Sequence, residues 1–160
     1  MKFDKTNAMR ILDRTKINYE YFTYDASDGH IDGISVAEKM NQNPDFVYKT
    51  LVTVGHSKEH YVFVIPVAKE LNLKAAAKAV GEKSVEMIHV AEINKLTGYI
   101  RGGCSPIGMK KQFVTVADAS AENLPYFYVS GGRIGLQVKL SPADLAGLIS
   151  MRFADIVFHG

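Results

Sequence analysis

At 160 residues, 47% of them hydrophobic and 22% charged, the chain is sized and composed like a globular protein with room for one stable core. Its formal charge of +2 argues against a strong, sequence-blind grip on phosphates. The single cysteine, Cys104, excludes an internal disulfide and suits a reducing compartment.

The apolar runs break well short of the ~18 residues a membrane span needs. Residues 1–6 carry no apolar stretch of the kind that opens a secretory signal, so a cytoplasmic protein is expected. No repeat, low-complexity tract or linker interrupts the chain, and residues 1–160 read as a single domain.

Ala8, Ile11, Leu12 and Thr15 follow helical spacing and predict a short first helix. Residues 19–24 are rich in aromatics and read as a strand. Ser35 with Glu38 forms a capping box that opens a helix through Met40, and Asn43-Pro44 caps one further turn. Strands are expected over 50–54 and 60–66. An alanine-rich helix over 72–80 stops at Gly81. A strand over 85–88, a helix over 90–96 ended by Gly98, and a strand over 113–116 follow. Residues 126–129 and 134–140 flank Ser130-Gly131-Gly132-Arg133, a hairpin by its turn chemistry. Ser141-Pro142-Ala143-Asp144 starts a helix through Ile149, and a last strand is expected over 155–158. Strands outnumber what a repeated βαβ pattern supplies. A mixed α+β fold is therefore expected, with a largely antiparallel, barrel-like mixed sheet and helices around it.

The chemistry concentrates in Gly102-Gly103-Cys104-Ser105-Pro106-Ile107-Gly108-Met109-Lys110-Lys111. Adjacent glycines allow close backbone approach, Pro106 stiffens the loop, and two lysines follow. Such a loop is either a ligand-holding element or a tight surface turn. Lys49 interrupts the largely apolar run Phe46-Val47-Tyr48-Lys49-Thr50-Leu51-Val52. It either snorkels to water or sits in a cleft, where its charge stabilises a carbonyl oxygen or phosphate. Cys104 has no base or orienting group nearby in sequence, which favours a small loop residue over a nucleophile. His56-Ser57-Lys58-Glu59-His60 matches one zinc-peptidase string, but it falls in a connection between strands where both histidines cannot share a helical face. No metal site is expected. Neither glycine cluster fits a nucleotide-binding fingerprint in its context.

Phe46-Val47-Tyr48-Lys49-Thr50-Leu51, then Gly98-Tyr99-Ile100-Arg101-Gly102-Gly103-Cys104-Ser105-Pro106-Ile107-Gly108, then Ser130-Gly131-Gly132-Arg133-Ile134-Gly135-Leu136, form an ordered trio. Together they resemble the YbaK family of aminoacyl-tRNA deacylases, most closely its Cys-tRNA(Pro) deacylases, over nearly the whole chain. The resemblance implies the barrel-like fold of the editing domain inserted in some bacterial prolyl-tRNA synthetases. It implies removal of cysteine from mischarged proline tRNA in trans, without cofactor or metal. The expected partners are the 3′ end of the charged tRNA and a prolyl-tRNA synthetase, not DNA or a membrane. A deacylase for another small residue such as alanine, or a non-catalytic tRNA-end or synthetase-binding module, is the alternative.

The same resemblance marks Lys49 as the essential lysine, with Gly102 beside the reacting carbonyl. Thr50 matches a substrate contact. Gly102, Gly103, Cys104, Ser105 and Pro106 match a G-x-x-x-P loop whose backbone meets the aminoacyl carbonyl and terminal ribose. Tyr21 matches a nearby aromatic, and Ser130 with Gly131 the opposite wall. Gln137 stands where many relatives carry an acidic residue; it accepts a hydrogen bond but supplies no charge. In this family the substrate's own thiol is the implied nucleophile, so the protein needs none.

Overall fold

A computed structural model of the chain describes residues 4–159, leaving half of the 1–6 stretch outside the described residues. The first helix, α1 (Asn7–Arg14), is capped by Thr6, whose hydroxyl accepts from the Met9 N–H and donates to the Gly131 carbonyl at 2.6 Å. Its buried face is Ala8, Met9 and Leu12; of the other two residues whose spacing predicted the helix, Ile11 is half-buried and Thr15 is exposed at the C-cap. β1 (Tyr19–Thr23) and α2 (Gly33–Lys39) follow. Here the structure corrects the expected start. Asp32, not Ser35, is the N-cap: its carboxylate accepts from both the backbone N–H and the hydroxyl of Ser35. Ionised and one turn upstream, it outcompetes the hydroxyl for the free helix donors.

Asn43 caps the 3₁₀ turn Pro44–Phe46 as expected, and β2 (Tyr48–Gly55) pairs antiparallel with β3 (His60–Pro66). α3 (Leu73–Val80) begins at its Asn72 cap and ends on Gly81 at φ +73°, where the absence of a side chain suits the left-handed turn. β4 (Val85–Met87) joins the far edge of β2, and α4 (Val90–Thr97) leads through Gly98 into the 98–113 loop. β5 (Val114–Asp118) lies parallel to β3 and closes in a short 3₁₀ turn, Ala119–Ala121, which the sequence pattern did not announce. β6 (Phe127–Ser130) and β7 (Leu136–Leu140) form the expected hairpin. α5 (Pro142–Ile149) starts at Ser141, whose hydroxyl accepts from the Asp144 N–H.

The last strand is misplaced in the sequence reading. β8 (Arg152–Ala154) pairs parallel with β5, three residues earlier than expected. The apolar 155–158 run is held differently. The Ile156 N–H donates to the buried Asp118 carboxylate, its carbonyl accepts from Asn72, and Val157 makes one isolated bridge with Leu71. A side-chain acceptor thus replaces the ladder there.

The strands form two sheets, a wholly antiparallel one ordered β1-β7-β6 and a mixed one ordered β4-β2-β3-β5-β8. One parallel bridge, Val47 to Tyr128, joins them. α1 and α5 pack with both sheets around Leu12, Val64, Phe127, Leu136, Val138 and Leu145, all fully buried. α3 covers the mixed sheet through Ala76 and Ala77, against Phe63, Ile65 and Val116. Among the described residues no helix is long and apolar enough to cross a membrane.

Because one hydroxyl serves both the α1 cap and the Gly131 carbonyl, Thr6→Ala is expected to lower the unfolding free energy by about 1–2 kcal/mol in urea denaturation. Thr6→Ser, which keeps the hydroxyl, should stay near the parent. An unchanged Thr6→Ala midpoint would mean that packing alone holds α1 in place.

Candidate functional site

β2 leaves the Pro44–Phe46 turn with Tyr48, Lys49 and Thr50 in register with Pro66, Ile65 and Val64 of β3. Tyr48 is fixed by a chain of hydroxyls. The buried Asp118 carboxylate accepts from Ser120 Oγ at 2.6 Å, and Ser120 Oγ lies 2.7 Å from the Tyr48 hydroxyl. With the Ser120 proton committed to the carboxylate, Tyr48 is the donor in the second bond. The residue next to Lys49 is therefore tied to the end of β5.

Between the two sheets lies a cavity of about 320 Å³, within the range of small-ligand sites. Lys49 and Thr50 line it from β2, Gln137 from β7, Ser130 from the end of β6, and Tyr24 from just beyond β1. Asp32 and Gly33 enter from the start of α2, and Arg101, Gly102 and Cys104 from the loop after α4. Of the residues singled out in the sequence, the structure brings together Lys49, Thr50, Gly102, Cys104, Ser130 and Gln137 on this wall.

Gly103, Ser105, Pro106 and Gly131 stand behind it. A Cβ on Gly103 would lie 2.7 Å from the Ile134 backbone nitrogen and 2.8 Å from the Arg133 backbone, so the loop and the β6–β7 turn touch main chain to main chain. Ser105 is fully buried, its hydroxyl accepting from the Ile107 N–H, and Pro106 is buried beside it. The Gly131 N–H donates to the Leu136 carbonyl. Tyr21 is 49% exposed on β1, opposite Val138, and outside the wall. Tyr24, Asp32 and Arg101 are wall residues that sequence reasoning did not single out. Arg101 lay inside a quoted motif, and Tyr24 ended the predicted strand; only position in the fold sets them apart.

Lys49 is half-buried, and loss of hydration pulls its ammonium below the ordinary lysine range, with the Glu70 carboxylate pulling back the other way. Among the described residues the Lys49 ammonium has no hydrogen bond or ion pair. Three buried side-chain oxygens also lack a partner there, the Tyr24 hydroxyl, Thr50 Oγ1 and Gln137 Oε1, and all three belong to this wall. In the loop, the Gly103 N–H is used by the Ile100 carbonyl, whereas the Gly102, Cys104 and Ser105 N–H groups have no partner among the described residues. Gly102 holds φ +87°, and a Cβ there would meet Ile31 Cδ1 at 2.8 Å. Burial pushes the Cys104 thiol up to about 11, so it is protonated at neutral pH and is a poor nucleophile. The wall thus offers a half-buried uncommitted cation in Lys49, a second cation at its mouth in Arg101, unpartnered hydroxyl and amide groups, and free backbone donors. That set binds and polarises a polar ligand rather than attacking it.

The aminoacyl-tRNA editing domain model matches residues 31–148. The chain is 45% identical over 152 residues to EbsC of Enterococcus faecalis, named as a candidate Cys-tRNA(Pro)/Cys-tRNA(Cys) deacylase; the match covers 95% of this chain and 93% of that one. The fold is similar to the crystal structure of a candidate trans-editing enzyme for prolyl-tRNA synthetase, with a TM-score of 0.83 at 22% identity, covering 98% of this chain and 100% of the other. It is also similar to the hypothetical protein APE2540, with a TM-score of 0.85 at 21% identity, over 96% and 100% of the two chains.

The backbone contact at Gly103 generates a paired expectation. Gly103→Ala drives a methyl into main chain that has no flexible end to move, and should cost about 1–3 kcal/mol. Gly147→Ala, in α5 with nothing within 4 Å of the added carbon, should gain about 0.5–1 kcal/mol. Thermal melts of the two variants against the parent check both signs.

Proposed function

The chain belongs to the aminoacyl-tRNA editing family, and from that membership we propose that it removes cysteine from mischarged Cys-tRNA(Pro), acting in trans. In this reading residues 1–160 form one editing domain that works in the cytoplasm alongside prolyl-tRNA synthetase. Cysteine and proline are close in size, and a synthetase pocket rejects a near-isostere by only about 10²-fold, so a second site is needed.

The observation that supports this reading best is the convergence of Lys49 with three unpartnered buried oxygens on one cavity. Buried polar atoms are nearly always hydrogen-bonded. An aminoacyl ester carries what these lack: an amine that donates, a carbonyl oxygen that accepts, and ribose hydroxyls that do both. Gln137 and Thr50 receive the amine and orient the side chain. The 102–106 backbone takes the carbonyl and the terminal ribose, with Ser130 on the opposite wall. Gly103, Ser105, Pro106 and Gly131 act by holding those donors in place, and Tyr21 lies on the strand that leads to Tyr24.

In the reaction the substrate's sulfur attacks its own ester carbonyl. A carbon–sulfur bond forms and the carbonyl oxygen takes up negative charge. On collapse the ester bond to the ribose breaks, and the ribose oxygen leaves with the proton given up by the thiol. The products are uncharged tRNA and a cyclic thioester of cysteine. The Lys49 ammonium and the Gly102 N–H stabilise the charged oxygen, and each is already positioned before the reaction begins. No nucleophile or cofactor from the protein is required, in keeping with a Cys104 thiol that stays protonated.

Deacylation of Cys-tRNA(Pro), with Pro-tRNA(Pro) as control, tests the reading. Cysteine alone should be released, Lys49→Ala should lose about 10²–10³-fold in kcat, and Cys104→Ala should stay within a few-fold. Turnover of alanine-charged tRNA with cysteine untouched would overturn the thiol route. Binding of charged tRNA without any turnover would make the chain a non-catalytic module.

Lys49 must be protonated to act, and burial lowers its pKa. Activity, after subtraction of spontaneous hydrolysis, should therefore fall on an alkaline limb below the ordinary lysine value of 10.5. Glu70 favours the charged form, so Glu70→Gln should move that limb to lower pH. A limb that does not move would remove Lys49 as the titrating group.

A further inference from the structure

The small net charge conceals an uneven distribution. Three segments far apart in sequence are laced together beside the cavity: residues 4–14, 98–111 and 130–135. The Asn7 side-chain amide donates to the Gly108 carbonyl at 2.9 Å, and Thr6 reaches the Gly131 carbonyl. A Cβ on Gly132 would stand 3.1 Å from the Tyr99 ring, and Gly103 abuts the Arg133 backbone. These segments hold seven of the nineteen Lys and Arg but only two of the seventeen Asp and Glu, which leaves the rest of the chain net acidic. One of those two carboxylates, Asp13, is already paired with Lys5.

Arg101 lines the cavity and is exposed at its mouth. Lys110, Lys111 and Arg133 are exposed around the same loop and turn. Lys110 reaches only the Lys95 carbonyl, at 3.4 Å, and Lys111 lies 5.9 Å over the Phe113 ring. Among the described residues neither lysine meets a carboxylate.

We propose that this ridge binds the phosphodiester backbone of the RNA strand whose 3′ end enters the cavity. The proposal rests on the reading of that cavity as an aminoacyl-tRNA site. With the ester at Lys49, the phosphate of the terminal nucleotide lies one nucleoside outside, at Arg101. The phosphates before it run along Lys110, Lys111 and Arg133. Such contacts fix register and orientation but carry no sequence information, so the ridge accepts many tRNAs and leaves selection to the aminoacyl end.

The test is binding of an uncharged RNA minihelix with a single-stranded 3′ end, followed by fluorescence anisotropy across a salt series. Lys110→Gln/Lys111→Gln should weaken binding at least fivefold. It should also flatten the plot of log affinity against log salt by about 1.4, the loss of two single-strand phosphate contacts. Lys110→Arg/Lys111→Arg should restore both. Parent-like affinity and slope in the Gln pair would overturn the proposal. So would unchanged RNA binding with reduced stimulation of deacylation by added prolyl-tRNA synthetase, because the ridge would then face an acidic protein surface. Since the RNA carries no amino acid, the two readings fail separately. A parent that binds with the expected salt response but deacylates nothing refutes the editing activity alone; a parent that deacylates with a slope indifferent to the Gln pair refutes the ridge alone.

Discussion

Gly103 presses so closely on the Arg133–Ile134 main chain that any side chain would displace one or the other. That contact joins the loop following α4 to the turn between β6 and β7, and through them it joins the two sheets. Lys49 and Thr50 belong to the mixed sheet, Ser130 and Gln137 to the antiparallel one. The cavity is the space the sheets leave between them, spanned by the loop contact at one place and by the Val47–Tyr128 bridge at another. Thr6 and Asn7 reinforce the loop contact by reaching into both loops from one helix end. The glycines in this region act as much by letting backbones meet as by presenting donors.

Inside the cavity the distribution of charge matters more than its amount. A half-buried ammonium is costly, and the usual remedy is a directly paired carboxylate. Asp32 lines the same wall, yet both of its oxygens are occupied by Ser35 at the start of α2. Glu70 acts on Lys49 without an ion pair between them. Lys49 thus keeps its charge uncommitted, which is the condition for stabilising negative charge that appears only during a reaction. A paired lysine would first have to give up its partner. The Asp118–Ser120–Tyr48 chain complements this by fixing the strand position beside Lys49 from outside the cavity.

The elements legible in the sequence were those with local punctuation. Asn43-Pro44, Asn72 with Gly81, and Ser141-Pro142 carry their caps within a few residues, and each structure followed its signal. The start of α2 departs from its signal because Ser35 and Glu38 satisfy a capping rule that Asp32 satisfies better. At the end of the chain the apolar character of 155–158 predicts a strand, whereas a buried carboxylate 38 residues away collects the Ile156 N–H. The same division holds at the site. Lys49 and Gly102 stand out by composition and motif. Tyr24 and Asp32 have ordinary neighbours, and reach the wall only because β1 ends and α2 begins beside it.

Total charge was the least informative quantity in the sequence, because folding sorts charges that composition averages. A sum of +2 describes no face of this molecule. The basic residues of the ridge, Arg101, Lys110, Lys111 and Arg133, lie in two segments that Asp118 and Glu122 separate along the chain. They become one surface only through the contacts of Thr6, Asn7, Gly103 and Gly132 that also build the cavity rim. The coupling is economical in physical terms. A cavity that must distinguish one small amino acid from another has little area with which to hold a whole tRNA. Phosphate contacts outside it supply affinity without base preference, so the discrimination stays with the few atoms at Lys49, Thr50 and Gln137.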